Sequence, residues 1–320
     1  MITKGSAISC CLPWIIIGHT RPIGNYRLER PVTTTTGSRE IVDAHLHLWD
    51  PRRMRMPWLD GNDLLNRPFG LTEYREHTAG LNITAMVYLQ VDVAPAYGLL
   101  EAQHVARLAA DDPRIQGIVA YAPLEDGECV RSILESLVAI GPLVKGVRRL
   151  LQGEPDPAFC LHPSFVRGVE LLPEYGLSFD ICIVHHQLPA IIELVRRCTG
   201  TRFILDHIAK PDIRGSALDP WRANLEALAR LPNVACKISG VVTEADHAHW
   251  TPEQIAPYIQ HALDVFGSDR VMFGGDWPVA LLATSYRRWV ETLATLTADM
   301  GPDAQRGFWV ENARRVYRLG

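Results

Sequence analysis

From residue 41 onward the chain alternates short runs of apolar, β-branched residues with longer stretches whose apolar positions recur every three or four residues. The first pattern is that of a buried strand and the second that of an amphipathic helix. The alternation therefore predicts βα units built around a parallel sheet. Strands are expected at 41–45, 83–91, 116–122, 143–150, 178–184, 202–206, 233–239 and 270–275, with helices at 95–110, 130–140, 165–175, 188–198, 221–231, 255–266 and 286–296. Eight such units fit an α/β (β/α)8 TIM barrel better than a doubly wound sheet. A doubly wound sheet would carry fewer strands and a glycine-rich phosphate turn after the first, and no G-x-G-x-x-G occurs. The longest strand-to-helix connections are 50–71 and 240–252, after strands 1 and 7. In a barrel those loops lie on the C-terminal face, where active sites are built.

Residues 1–39 lack this pattern. Behind Lys4, the apolar stretch from Ala7 to Ile17 has the length of a signal-peptide core but is too short to span a bilayer. No small-residue cleavage site follows cleanly, and Thr33-Thr34-Thr35-Thr36-Gly37-Ser38 reads as linker. The expectation is a short N-terminal extension, disordered or translated from too early a start codon, followed by a single barrel domain over 40–320. With 320 residues, 47% hydrophobic content and a net charge of -4, that domain can bury a large core. The mildly acidic balance offers no footprint for nucleic acid, and no segment asks for a membrane. Seven scattered cysteines fit free thiols and a cytoplasmic location. The partner expected is a small molecule, with a homo-oligomer left open.

Chemistry concentrates at the ends of the expected strands. Residues i and i+2 of a strand share a face, so His45 and His47 project side by side as paired metal ligands or polarising groups. Arg148 and Arg149 end strand 4, His185 and His186 follow strand 5, His207 follows strand 6, Lys237 and Ser239 lie on strand 7, and Asp276 follows strand 8. Any one of these has an ordinary structural reading, but barrel strand ends converge on one pocket, which favours the functional one. Asp276, held between Gly274-Gly275 and Trp277-Pro278, is assigned as general base, and helix capping is its structural alternative. Arg148 and Arg149 alternate faces, so one points inward to a carboxylate or oxyanion. Lys237, inside an apolar run, is expected to meet Asp276, Asp43 or the substrate. Trp58, Trp250 and Trp277 are candidates for stacking on a ring. By contrast, His247-Ala248-His249 reads as a solvated loop and Asp111-Asp112-Pro113 as helix termination.

The motifs Val42-Asp43-Ala44-His45-Leu46-His47-Leu48-Trp49, Lys145-Gly146-Val147-Arg148, Leu205-Asp206-His207-Ile208-Ala209-Lys210-Pro211, the block from Cys236 to Asp246, and Val271-Met272-Phe273-Gly274-Gly275-Asp276-Trp277-Pro278-Val279 resemble the amidohydrolase-related ("amidohydrolase 2") family. That family contains sugar lactonases of the L-fuconolactonase and L-rhamnonolactonase kind and the 2-pyrone-4,6-dicarboxylate lactonases. The resemblance implies a barrel that opens a lactone of a sugar acid to the hydroxy acid. Asp276, His207, His45 and His47 would stand at the catalytic positions, and Arg148, Arg149, Lys237, His185, His186 and Trp277 would hold substrate. It also implies either no required cofactor or one divalent ion, Zn2+ first, on His45, His47 and Asp276. Lys145 lies too early in strand 4 for a bridging ligand of a two-metal site. The alternatives are a pyrone-type lactonase and a metal-dependent decarboxylase of the same superfamily.

Overall fold

The strand-like runs all enter one sheet. The computed structural model describes residues 39–320; apart from Arg39, the expected N-terminal extension lies outside the described residues. The strands are β1 (Glu40–Leu46), β2 (Asn82–Leu89), β3 (Ile115–Ala120), β4 (Val144–Val147), β5 (Ser178–Ile181), β6 (Phe203–Leu205), β7 (Val234–Ile238) and β8 (Val271–Phe273). Each pairs in parallel with the next, in the order β1 to β8. The strands are buried along nearly their whole length, as required where helices cover one side and a packed interior the other.

Ten α-helices accompany them: α1 (Leu71–His77), α2 (Gly98–Asp111), α3 (Arg131–Val138), α4 (Pro163–Leu171), α5 (Leu188–Arg197), α6 (Trp221–Ala229), α7 (Pro252–Phe266), α8 (Tyr286–Leu296), α9 (Pro302–Arg306) and α10 (Asn312–Tyr317). Local chemistry fixes several starts. Thr251 caps α7 by accepting from Gln254 N–H ahead of Pro252, and Ser285 caps α8 by accepting from Arg288 N–H. Helices α1, α9 and α10 were not expected; they are too short for their periodicity to stand out.

Most strands are shorter than their apolar runs. The run 143–150 yields only Val144–Val147, and 178–184 only Ser178–Ile181. The remainder continues as buried loop at the C-terminal end, where side chains must turn into the barrel mouth and leave the ladder.

The ring closes between β1 and the chain just beyond β8. Asp276 N–H donates to the His45 carbonyl at 2.7 Å, and His47 N–H donates to the Trp277 carbonyl at 2.7 Å. Below this seam lies fully buried Asp43, which accepts from Gly275 N–H (2.7 Å), His45 N–H (3.1 Å), Tyr74 Oη–H (2.9 Å) and Tyr286 Oη–H (2.8 Å). Four donors on one carboxylate tie β1, α1 and α8 to the end of β8. Asp43 is therefore a structural knot, and its donors keep it away from Lys237. A side chain at Gly275 would collide with the Tyr286 ring and the Asp43 carboxylate, so the close approach needs glycine.

Candidate active site

The seam delivers three ligand-type atoms to one point. His45 Nε2 and His47 Nε2 are 3.2 Å apart, and Asp276 Oδ1 lies 3.6 Å from the first and 3.4 Å from the second. All three residues are buried. The ring partners assign the protons. His47 Nδ1 is 2.8 Å from the Leu89 carbonyl, which can only accept, so Nδ1 carries the hydrogen and Nε2 the lone pair. His45 Nδ1 faces Asp206 Oδ1 at 3.3 Å, while its Nε2 receives an Arg148 Nη1–H at 3.2 Å, which assigns the same tautomer. Two lone pairs and a carboxylate oxygen thus converge, and only the one on His45 meets positive charge, from Arg148.

Burial drives the His45 imidazole well below its ordinary pKa, against the pull of Asp206, and lowers His47 against Asp276. Neither ring is a ready proton acceptor. Burial would raise the Asp276 carboxyl, but His207, His47 and His45 outweigh it and hold the carboxyl well below the usual range. A divalent cation answers this donor set. Tetrahedral zinc with bonds of roughly 2.0–2.1 Å places its ligands about 3.3 Å apart, close to the three separations here. The Leu89 carbonyl and Asp206 occupy the outer positions that orient imidazole ligands. The residues present therefore fit a single such ion.

His207 flanks the cluster, with its ring centroid 4.6 Å from that of His45 and Nδ1 3.9 Å from Asp276 Oδ2. Its Nδ1 donates to the Ser239 carbonyl at 2.9 Å, and burial pushes its pKa down to about 4. The chain reaches it through an unusual turn: His207, Ile208, Ala209 and Lys210 all have positive φ, between 46° and 61°. Left-handed backbone costs non-glycine residues roughly 1–2 kcal/mol each. The turn is held by Trp221 Nε1–H on the Ile208 carbonyl (2.7 Å), by His185 Nδ1–H on the Lys210 carbonyl (3.0 Å) and by the His207 anchor. Gly240, at φ +60°, leaves room beside it, since a Cβ there would strike the Asp276 carboxylate and His207.

Lys237 is fully buried but does not meet Asp276 or Asp43. Its Nζ lies 2.7 Å from Asp180 Oδ2 and 3.0 Å from Asp206 Oδ1. The strand registers explain the difference: Asp180 on β5, Asp206 immediately after β6 and Lys237 on β7 are neighbours across adjacent strands, whereas Asp43 is turned outward into its knot. Arg148 Nη1 joins Asp206 Oδ2 at 3.1 Å, Arg148 Nη2 donates to the Gln90 carbonyl, and Tyr317 Oη–H donates to Asp180. Lys237, His45 and Arg148 overcome burial to hold Asp206 firmly ionised, while burial pushes Asp180 up to about 6 despite Lys237.

Arg148 is the inward member of its pair. Arg149 faces away, bound to Glu125 at 2.9 Å and Glu154 at 2.7 Å. His185 is half-buried under Lys210 and His186 is exposed. Trp277 and Trp250 are buried, Trp250 Nε1–H donating to the Ala283 carbonyl at 2.7 Å, so both pack the loops; Trp58 is 38% exposed. His247 and His249 are exposed, in line with the loop reading. Lys145 donates to the Arg318 carbonyl, remote from the strand's C-terminal end.

Sequence reasoning passed over Asp206, Asp180, Lys210 and Gln152. Lys210 Nζ donates to Gln152 Oε1 at 2.6 Å; burial lowers its pKa, but Cys182, Glu244 and Asp276 more than restore it, keeping the ammonium charged. The signal for Asp206 was its place beside His207 at a strand end. Asp180 gave none beyond a carboxylate inside an apolar strand.

A (β/α)8 barrel with histidines and an aspartate gathered at its closing strands is the architecture of a hydrolytic enzyme with a metal-capable centre. The chain belongs to the amidohydrolase family, whose model matches residues 42–319. It is 32% identical over 299 residues to L-fucono-1,5-lactonase of Burkholderia multivorans, covering 87% of this chain and 96% of that one. L-fucono-1,5-lactonase of Burkholderia ambifaria is 28% identical over 283 residues, covering 87% and 95%. Among solved structures, a B. multivorans amidohydrolase with bound zinc superposes with a TM-score of 0.80 at 31% identity, covering 88% of this chain and all of that one. Among the described residues no helix is long and apolar enough to cross a membrane.

Proposed function

We propose that this protein hydrolyses the lactone of a sugar acid, of the L-fuconolactone kind, to the open hydroxy acid. The observation that carries the reading is the convergence of His45 Nε2, His47 Nε2 and Asp276 Oδ1 within 3.2–3.6 Å, in a chain similar along its length to fuconolactonases.

His45, His47 and Asp276 Oδ1 would hold one divalent ion, zinc by the donor set, which polarises a carbonyl oxygen and acidifies water when bound. Asp276 Oδ2 is turned to the His207 side and remains free of that cluster. As water oxygen bonds to the lactone carbonyl carbon, Oδ2 takes the water proton. When the tetrahedral carbon expels the ring oxygen, the same proton passes from Oδ2 to that oxygen, giving a hydroxyl and a carboxylic acid that ionises in solvent. Neutral His207, with its hydrogen committed to the Ser239 carbonyl, walls one side of the Asp276 carboxylate and cannot donate to the oxyanion. That task falls to positive charge, for which Arg148 and Lys210 are the chain's own sources. Buried donors without a protein acceptor, Gln90 Nε2 and Arg148 Nε, suit a substrate rich in hydroxyl and carbonyl oxygens.

The test is acid release, followed with a pH indicator, from L-fucono-, L-rhamnono-, D-arabinono- and D-galactonolactone, with and without chelator. Turnover of at least one aldonolactone supports the reading, and its loss on chelation with return on added Zn2+ supports the metal role. Absence of turnover on every lactone by the zinc-supplied enzyme overturns it.

A further inference from the structure

The opposite end of the barrel carries a second feature that lactone hydrolysis does not use. At the N-terminal ends of β6, β7 and β8 an open depression of about 340 Å³ is lined by Arg202, Arg270 and Arg315 together with Thr199, Gly200 and Asn233. Arg202 and Arg270 immediately precede β6 and β8, and Arg315 comes from α10, so distant parts of the chain bring three guanidiniums to one cavity. Among the described residues no aspartate or glutamate lines it, and Asp269, beside it, is the carboxylate whose charge reaches Arg270.

Each guanidinium is anchored only to neutral acceptors. Arg202 Nη1 donates to the Val316 carbonyl at 3.1 Å, Arg270 donates to the carbonyls of Phe266, Leu231 and Val234, and Arg315 Nη2 donates to the Asp269 carbonyl and to Asn312 Oδ1. Among the described residues none has a carboxylate partner. The structural alternative is that they neutralise helix ends, since Arg270 meets carbonyls at and just past the ends of α7 and α6 and Arg202 meets that of Val316 in the last turn of α10. Such ends carry only partial negative charge and hold only some of the guanidinium donors. Arg202 and Arg315 are exposed and each keeps donors not used by the protein, in the planar forks that suit phosphate oxygens.

We infer that this depression is a binding site for a multivalent phosphate compound, separate from the catalytic mouth at the other end of the barrel. Its volume stands at the lower end of the range of small-molecule sites, roughly 300–1,000 Å³, enough for a compact phosphate compound.

Isothermal titration of the chelator-treated full-length protein with sodium pyrophosphate, at constant ionic strength, tests this. The expected result is a saturable single site, weakened about tenfold or more in Arg202→Glu and in Arg315→Glu. Both variants should keep wild-type lactone turnover when resupplied with Zn2+, because neither residue lies at the catalytic end. Repeating the titration with ADP separates the sources: tighter binding than pyrophosphate assigns a nucleotide, equal binding assigns phosphate groups alone, and either supports the site. Hydrogen exchange of the wild-type protein covers the case of a variant that fails to fold, with pyrophosphate expected to protect segments 199–203 and 312–318. No saturable binding, binding unchanged in both folded variants, or no protection of those segments would each overturn the inference.

Discussion

Replacing Lys237 by methionine probes the buried charge network directly. Its ammonium sits 2.7 Å from Asp180 and 3.0 Å from Asp206, with all three side chains fully buried. At an effective dielectric near 20 those separations correspond to gross attractions of about 6 and about 5.5 kcal/mol. Desolvation of the ions cancels much of this, and removing one partner of a buried pair typically costs about 3–5 kcal/mol. The cost is uneven here. Asp206 retains Arg148 and His45, whereas Asp180 keeps only Tyr317 and is the carboxylate already pushed up to about 6. Lys237→Met should therefore lower Tm by on the order of 10 °C, at roughly 2–4 °C per kcal/mol for a domain of this general size. Adding Asp180→Asn removes the stranded charge and should recover about half of the loss or more, a coupling that a double-mutant cycle over urea melts would measure. A loss below about 1 kcal/mol in the single variant, or strict additivity in the cycle, would refute the reasoning.

Four further outcomes follow from the geometry. Asp276→Asn should cut kcat/KM on the best lactone by about a hundredfold to ten-thousandfold, because it removes the proton acceptor, and should also lower Tm at neutral pH, because the histidines that hold the carboxyl ionised lose their partner; an unchanged kcat/KM would refute the base assignment. Arg148→Met removes a positive charge 3.2 Å from His45 Nε2 and should tighten Zn2+ binding by about tenfold or more in competition with a fluorescent chelator; unchanged affinity would show that the guanidinium does not compete with the ion. Burial pushes Glu101 up to about 7 from 4.5, so between those values the native state holds a proton that the unfolded chain releases, and stability falls as pH rises through the window. That term is on the order of 3 kcal/mol, and denaturant melts from pH 4.5 to 7 should flatten in Glu101→Gln. Gly240→Ala should lower kcat far more than Gly141→Ala, since Gly141 also has positive φ but opens on empty space, and equal kcat effects would mean that Asp276 tolerates the displacement.

Much of the barrel was legible because continuous apolar runs alternate with helical periodicity over most of the chain from residue 83 to 296, with only the short α1, α9 and α10 missed. The alternation also gave His45 and His47 on one face, and the abrupt end of the β8 run gave Asp276. The partners of Lys237 were not legible. Asp180 lies in an apolar strand and Asp206 just past the end of another, each three or more residues from any other charge, and only the registers of β5, β6 and β7 bring them to one point. Nor does any local signal announce the left-handed turn 207–210, because its residues are not the glycines and asparagines that favour such backbone, and tertiary anchors impose it. Arg148 and Arg149 could be separated in face but not in direction until the acceptors Asp206 and Glu125 were placed in space.

The seam between β1 and the segment after β8 has a consequence for how the molecule comes into being. His45 and Asp276 stand 231 positions apart and are joined by a backbone bond between them. During synthesis the first histidines emerge long before their carboxylate, and a ribosome must finish almost the whole chain before the two edges can meet. Contacts of such high sequence separation form late and slowly in folding. The partly built barrel is therefore catalytically silent, and its exposed β1 edge stays open to wrong partners until the last strand arrives. Appearance of activity after refolding thus times the closure of the ring itself.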